Sequence, residues 1–242
     1  MRTVLIVDDD KLLREAIGHD FQRRQYTVVL ADSGNQALQI LETTKVDVVL
    51  SDVRMPNGDG IQLLKKIREQ NCEFPVFLLL TGFAEFAIED AYHEGAAAMI
   101  AKPFNRKTLY NTIDLALLPK RQRWDHPTTI QLPNLNLRLH YQNFAEAIES
   151  RAVSLGQGGM FVSMSEDLPV SIGSEINFTV AFQNSTKENF SGRGILRWLR
   201  TQKTANLAKG CGVEFVHIQD DFRDRIIRLT EELNPKSFIP KY

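Results

Sequence analysis

The chain has 242 residues, 43% of them hydrophobic and 24% charged, and a formal net charge of −1. That length suggests one large or two ordinary domains, and the composition is that of a globular protein rather than a disordered or fibrous one. The small net charge gives no overall field toward nucleic acid or a membrane surface, and no stretch reaches the roughly 18 apolar residues of a membrane span.

The first half alternates strand and helix patterns. Val4–Val7 is an apolar run that ends at Asp8-Asp9-Asp10, and Leu13, Ile17 and Phe21 then form one helical stripe. Ser33 has capping-box spacing before Ala37, Leu38 and Leu41. The run Val46–Ser51 stops at Asp52, followed by a stripe of Ile61, Leu64 and Ile67. Val76–Leu80 stops at Thr81, and residues 84–93 carry Ile88, Ala91 and Tyr92. Ala98–Ala101 stops at Lys102-Pro103, and Asn105 precedes a fifth stripe with Leu109, Thr112, Ile113 and Ala116. Five strand–helix units imply a doubly wound (βα)5 parallel sheet over residues 1–118. Ligands of such a sheet bind outside the carboxyl ends of the strands, so acids, a hydroxyl and an amine are expected to meet in one crevice.

Leu118-Pro119 closes the fifth helix, because the residue before proline is driven out of the helical region. The polar, basic stretch that follows, with Arg121 and Arg123, reads as a linker over 119–129. From 130 to 242 the period changes to two. Strand patterns occur over 134–140, 144–153, 160–162, 172–180, 194–199 and 211–216, with glycine-rich turns between them. They suggest a small antiparallel β-barrel closed by a helix with Phe222, Ile226, Leu229 and Leu233 on one stripe. Cys72 and Cys211 lie far apart in no metal spacing and read as reduced thiols. His93 and His217 have no metal-spaced companions. The N-terminus enters strand-like sequence directly, so the expected address is the cytoplasm.

Val7-Asp8-Asp9-Asp10, Asp52 through Gly60, Thr81-Gly82 and Lys102-Pro103-Phe104 together resemble a response-regulator receiver domain over residues 1–118. The resemblance implies a Mg2+ site of Asp9, Asp52 and the backbone carbonyl of Arg54, with Asp8 acting through a water. It implies Asp52 as the phosphoacceptor for a phosphohistidine of a partner histidine kinase or phosphotransfer protein. Thr81 and Lys102 would contact the phosphoryl group. The residue types suit this chemistry: Mg2+ takes one or two carboxylates with waters and phosphate, and carboxylates form acyl phosphates. Receivers usually place an aromatic three residues before the lysine, where this chain has Met99. Arg54 and Phe83, two residues beyond Asp52 and Thr81, are expected to lengthen the life of the phosphorylated form.

Residues 155–162 resemble the turn of a PilZ domain, and 192–199 and 210–215 resemble its later strands, over about 128–234. The resemblance implies cyclic di-GMP, bound through an R-x-x-x-R segment and a [DN]-x-S-x-x-G turn. Arginine forks take phosphates and guanine edges bidentately. Here Pro127 and Gln131 stand at the two arginine places, Ser154 at the Asp/Asn place, Gly156 at the Ser place and Gly159 at the turn glycine. Arg121 and Arg123 lie close by and offer substitutes with shifted geometry. Two lost charge-assisted bonds, at about 1.5–3 kcal/mol each, would leave a micromolar site near useless.

The expected protein is therefore a response regulator whose PilZ-type output acts on an unidentified downstream protein, through changed dimerisation or exposure of the barrel. The competing reading is a cyclic di-GMP receptor gated by the receiver. DNA is not an expected partner, because nothing after Pro127 supplies paired recognition helices. Enzymatic action is expected only as transfer of a phosphoryl group to Asp52 and its hydrolysis. Arg193, Arg197, Arg200, Lys203 and Lys209 read as a solvated basic face, with an acidic protein as the alternative.

Overall fold

The computed structural model describes residues 1–71, 73–82, 87–124, 135–205, 207–232 and 237–242, less the side chains of 120, 121, 220 and 230–232. The chain divides into two compact units, Met1–Leu117 and Leu118–Tyr242.

In the first unit β1 (Thr3–Val7), β2 (Thr27–Ala31), β3 (Val48–Asp52), β4 (Val76–Thr81) and β5 (Ala98–Ala101) form a parallel sheet in the order β2-β1-β3-β4-β5. The helices are α1 (Lys11–Arg23), α2 (Gly34–Thr43), α3 (Gly60–Gln70), α4 (Ile88–His93) and α5 (Arg106–Ala116). Side chains cap these helices: Ser33 Oγ accepts from Gln36 N and Asn105 Oδ1 from Lys107 N, as their spacing suggested, and Asp10 Oδ1 accepts from Leu12 N and Leu13 N. The strands are apolar throughout because both faces are covered. Leu5, Val7, Val49, Phe77 and Leu79 pack in one cluster with α3 residues Leu63, Leu64 and Ile67. Val4, Ile6, Leu50, Leu78 and Leu80 pack in another with Ile17, Phe21, Leu109 and Ile113.

The second unit opens with α6 (Lys120–Arg123) and then places Trp124, 1% exposed, edge-on to Phe215. Trp124 is thus part of this unit's core, which moves the end of the expected linker: an indole that large gains more by burial than a polar tether could use. Next come β6 (Leu135–Tyr141), α7 (Phe144–Glu149), β7 (Val153–Leu155), β8 (Gly159–Ser163), β9 (Glu175–Phe182), β10 (Phe190–Arg200), β11 (Gly210–Ile218) and α8 (Asp220–Glu232). The strand order among the described residues is β6-β9-β10-β11-β8-β7. The expected barrel is a curled mixed sheet: β6 pairs with β9 in parallel, and the other pairs are antiparallel. The expected strand over 144–153 is overturned, since Asn143 Oδ1 accepts from Glu146 N at 2.7 Å and starts a helix there. Phe178, Phe182, Phe190, Leu196, Val213, Phe222 and Ile226 fill the core between sheet and α8. No helix among the described residues is long and apolar enough to cross a membrane.

Candidate functional site

Strand register assembles the acid crevice. Val7 lies opposite Ser51, so Asp8 follows β1 at the level of Asp52 on β3. Asp52 in turn lies opposite Leu80, and Thr81 opposite Ala101, which puts Thr81 one step and Lys102 two steps farther along. The Lys102 amide donates to the Thr81 carbonyl at 2.6 Å, and the Lys102–Pro103 peptide bond is cis. The reversal of strand order between β1 and β3 opens the cleft where these ends meet.

Lys102 Nζ stands 2.6 Å from Asp52 Oδ1 and 2.8 Å from Asp8 Oδ2. Asp8, Asp52 and Thr81 are buried, and Asp9 is exposed at the rim. Asp8 Oδ1 also accepts from Asp10 N at 2.9 Å, and the guanidinium of Arg14 donates to the Asp8 carbonyl. Arg14 is a supporting residue that sequence reading missed; its spacing from Asp8, one helical turn into α1, is the signal that could have found it. Arg54 follows Asp52 in the exposed loop before α3. That loop is held close by Gly60: a Cβ there would stand 2.1 Å from the Asp52 carbonyl oxygen. Phe83 lies outside the described residues. Met99 packs against the cluster that contains Leu79 and Ala91, so a flexible thioether fills the place of the expected aromatic.

The electrostatics are unfavourable to a bare cleft. Burial raises the Asp52 carboxyl above its ordinary value; the hydrogen bond from Lys102 lowers it, and the charges of Asp8 and Asp9 raise it further. Burial pulls the Lys102 ammonium down, but its hydrogen bonds to Asp52 and Asp8 outweigh that and leave it raised. No cluster of three metal-type side chains is found among the described residues. The donor set nonetheless fits Mg2+, which binds through one or two carboxylates with waters completing an octahedron. Asp8 and Asp52 are such a pair, and a divalent cation would relieve the repulsion that raises Asp52.

The second predicted site is differently placed. Ser154 sits on β7 opposite Phe161, and Gly159 opens β8 opposite Glu214. Arg123 Nε donates to the Leu118 carbonyl at 2.7 Å, so this guanidinium is engaged locally. The side chain of Arg121, and all of Pro127 and Gln131, lie outside the described residues. The basic set is not one solvated face: Arg197 pairs with Glu214, Lys209 Nζ lies 3.0 Å from Asp167, and Arg200 is buried. Arg200 donates to the Ala208 and Lys241 carbonyls at 2.7 and 2.6 Å. Sequence reading missed the C-terminal segment Ser237–Tyr242, whose Phe238 and Ile239 are buried; the apolar run Phe238-Ile239-Pro240 after the last helix was the available signal.

Residues 4–114 match the family model of the response regulator receiver domain, and residues 120–232 that of the PilZ domain. The chain is 35% identical over 166 residues to the transcriptional regulatory protein GlrR of Escherichia coli (strain K12), covering 64% of this chain and 36% of GlrR. It is 31% identical over 150 residues to the heme response regulator HssR of Staphylococcus saprophyticus, covering 62% of this chain and 66% of HssR. The chain therefore spans about a third of the length of GlrR. Among solved structures, the Thermotoga maritima response regulator TrrA in complex with Mg2+-BeF is 26% identical, covers 49% of this chain and 100% of its own, and has a TM-score of 0.45. By its two family matches in sequence order, the chain is a response-regulator receiver domain followed by a PilZ domain.

Proposed function

We propose that this chain is a phosphorelay response regulator that takes a phosphoryl group on Asp52 and signals through its PilZ domain to a downstream protein. The observation that carries this reading is the buried Asp52 carboxylate held 2.6 Å from Lys102 Nζ beside Asp8, at the carboxyl ends of β3, β5 and β1 of one sheet. Asp52 attacks the phosphorus of a phosphohistidine on a partner kinase or phosphotransfer protein. A P–O bond forms, the P–N bond breaks, and the imidazole leaves with the electron pair. Lys102 stabilises charge on the phosphoryl oxygens, and the Thr81 hydroxyl donates to the group once it is attached. Asp8, Asp9, Asp52 and the Arg54 carbonyl would hold Mg2+, which supplies a hard cation to offset the phosphoryl charge.

Added charge in the crevice then shifts a two-state receiver, with a rearranged Thr81 and a repacked Met99, toward a form that presents the PilZ domain or a dimer differently. The chain acts in the cytoplasm and performs no reaction beyond this transfer and its hydrolysis. The PilZ match favours a second reading, a cyclic di-GMP receptor gated by the receiver. Ser154, Gly156 and the loss of both arginine places weigh against it. Incubation with acetyl phosphate and Mg2+, followed by peptide mass spectrometry, tests the first reading. The phosphoryl group is expected on Asp52 and absent in Asp52→Asn; modification of Asp52→Asn to the same extent would overturn it.

A further inference from the structure

The turn that would cradle a nucleotide in the PilZ domain is already filled by the chain itself. Gln157 N donates to the Ser237 carbonyl at 3.1 Å, and Gly158 N to the Phe238 carbonyl at 2.9 Å. The Phe238 ring lies directly on Gly158, where a Cβ would stand 2.3 Å from the ring. Gly156 is approached less closely, by the carbonyls of Ser237 and Phe238 and by the Pro240 ring, each 2.7 Å from a Cβ built there. Ile239 covers Gly159 in the same way, at 2.9 Å. Farther along, Arg200 donates to the Lys241 carbonyl, and the guanidinium of Arg151 lies 4.8 Å from the Tyr242 ring. Arg200 is itself set in place by aromatics, with its guanidinium carbon 5.5 Å from the Trp198 ring and 5.8 Å from the Phe161 ring. Phe161 and Trp198 stack at 5.5 Å.

Two features mark this segment as a ligand rather than part of the core. The core cluster takes Met160 and Val162 from β8 and no residue of 237–242, so Gly159 and Phe161 face away from it. The tail is also read mainly through its backbone: two turn amides and one arginine meet main-chain carbonyls, and the glycines admit the side chains. Amide and arginine donors set against carbonyls, with glycine-floored space for an aromatic and a proline, suit an extended peptide. Of the arginines that meet the tail, Arg200 is committed to two carbonyls and Arg151 to the Tyr242 ring, so neither is set to grip a phosphate.

We propose that the Gly156–Gly159 turn, with Arg200, is a binding site for an extended peptide of the Phe-Ile-Pro type, occupied in cis by Ser237–Tyr242. The site does not take cyclic di-GMP while the tail is seated. A partner carrying such a peptide would compete with the tail, which gives the PilZ domain a defined way to dock a protein. This goes beyond the receiver reading and does not depend on phosphorylation at Asp52.

Native-state hydrogen exchange on the full chain tests it first. In wild type the Gln157 and Gly158 amides are expected to be protected. In Phe238→Ala they exchange roughly tenfold faster or more, while the Phe215 amide, bonded to the Gly158 carbonyl, keeps its protection. Equal protection of Gln157 and Gly158 in the variant would overturn the proposal. A fluorescein-labelled peptide with the sequence of residues 237–242 is then titrated against wild type and a chain ending at Glu232. Binding to the shortened chain at least tenfold tighter than to wild type supports the site; no binding to a shortened chain that retains its β11 protection overturns it. If the shortened chain does not fold, the exchange experiment alone decides. Cyclic di-GMP added to the full chain is expected to leave the Gln157 and Gly158 amides protected, and their release by the nucleotide would assign the turn to nucleotide binding instead.

Discussion

The two predicted sites of this chain sit on opposite sides of one physical criterion. In the receiver crevice, the Asp8 and Asp52 carboxylates share one ammonium, and burial with the neighbouring acids Asp8 and Asp9 pushes Asp52 above its ordinary range. Such a site gains by binding a cation or rearranging around a new charge. At the PilZ turn, the amides of Gln157 and Gly158 have protein acceptors and the space above the glycines is filled. The resemblances imply a ligand for both, but only the first shows unbalanced charge that a ligand would relieve. The lesson is that a site's remaining need, not its motif, tells what it is ready to bind.

The largest expected effect breaks the receiver side of the comparison. Lys102→Ala leaves Asp8 and Asp52 facing each other without the shared cation and removes the donor to the phosphoryl oxygens. Initial rates of Asp52 phosphorylation from acetyl phosphate should fall about 100-fold, the usual cost of one preorganised donor. A rate within about twofold of wild type would mean that Lys102 only holds the acids together at rest.

The next effect separates a filled glycine from an open one. Gly158→Ala drives a Cβ into the Phe238 ring, whereas a Cβ at Gly82, in the receiver, meets nothing within 4 Å. Thermal or urea unfolding of the second unit should lose about 1–3 kcal/mol in Gly158→Ala, the range for overpacking. Gly82→Ala should stay within about 0.5 kcal/mol in the first unit.

How far the sequence spoke follows the same division. Asp8, Asp52, Thr81 and Lys102 were legible because each stands at the polar end of a strand-like run, and parallel register needs no further information to gather strand ends. The helix over Phe144–Glu149 was misread although Phe144, Ala147 and Ile148 stand at i, i+3 and i+4: six residues are too few for the helical period to stand out between strand-like neighbours, and the Asn143 cap was the signal passed over. The parallel pairing of β6 with β9 was hidden because alternation says nothing about strand direction. The tail's place was invisible for a different reason. Glycines at 156, 158 and 159 announce a close approach but not what approaches, and the partner lies about eighty residues downstream, as the backbone bonds from Gln157 to Ser237 show. Trp124 was hidden by its basic neighbours, which described the surface of the segment and not its anchor.

A smaller effect sharpens the electrostatic side. If the acid pair of the receiver is the ligand-ready site, Mg2+ at ten times its dissociation constant should stabilise the first unit by about 1.4 kcal/mol. Calorimetry should show the gain as a rise in its melting temperature, lost in Asp8→Asn. Calcium at the same concentration should give less if the site favours the smaller octahedral ion. A shift confined to the second unit's transition would contradict the placement of the cation at Asp8 and Asp52.

The smallest effect concerns groups the second unit keeps neutral. Burial pushes the Cys211 thiol up to about 12, and burial together with the Cys211 charge pushes the Tyr141 phenol up to about 12. Both are acids whose folded value exceeds the unfolded one, so the unfolded chain loses its protons first. Their contribution to stability is present below the unfolded values and declines as pH rises toward 12. The loss should set in near the ordinary thiol value of 9.0 and grow as pH rises, with Tyr141 adding to it from its own ordinary value of 10.0 upward. Urea melts of the second unit between pH 7 and 10 should show this slope, and Cys211→Ala should flatten it after its own cavity cost is subtracted. The same series in the receiver carries no such slope from Asp52, whose raised value acts near the carboxylate range at acid pH, so stability falls there as pH rises through 3.8. Raised Tyr110 and Lys102 give the receiver its own alkaline loss only from their ordinary values of 10.0 and 10.5 upward. An equal slope in both units below pH 10 would therefore show that the contrast between a charged, ligand-ready crevice and a neutral, self-filled domain is not what sets their pH response.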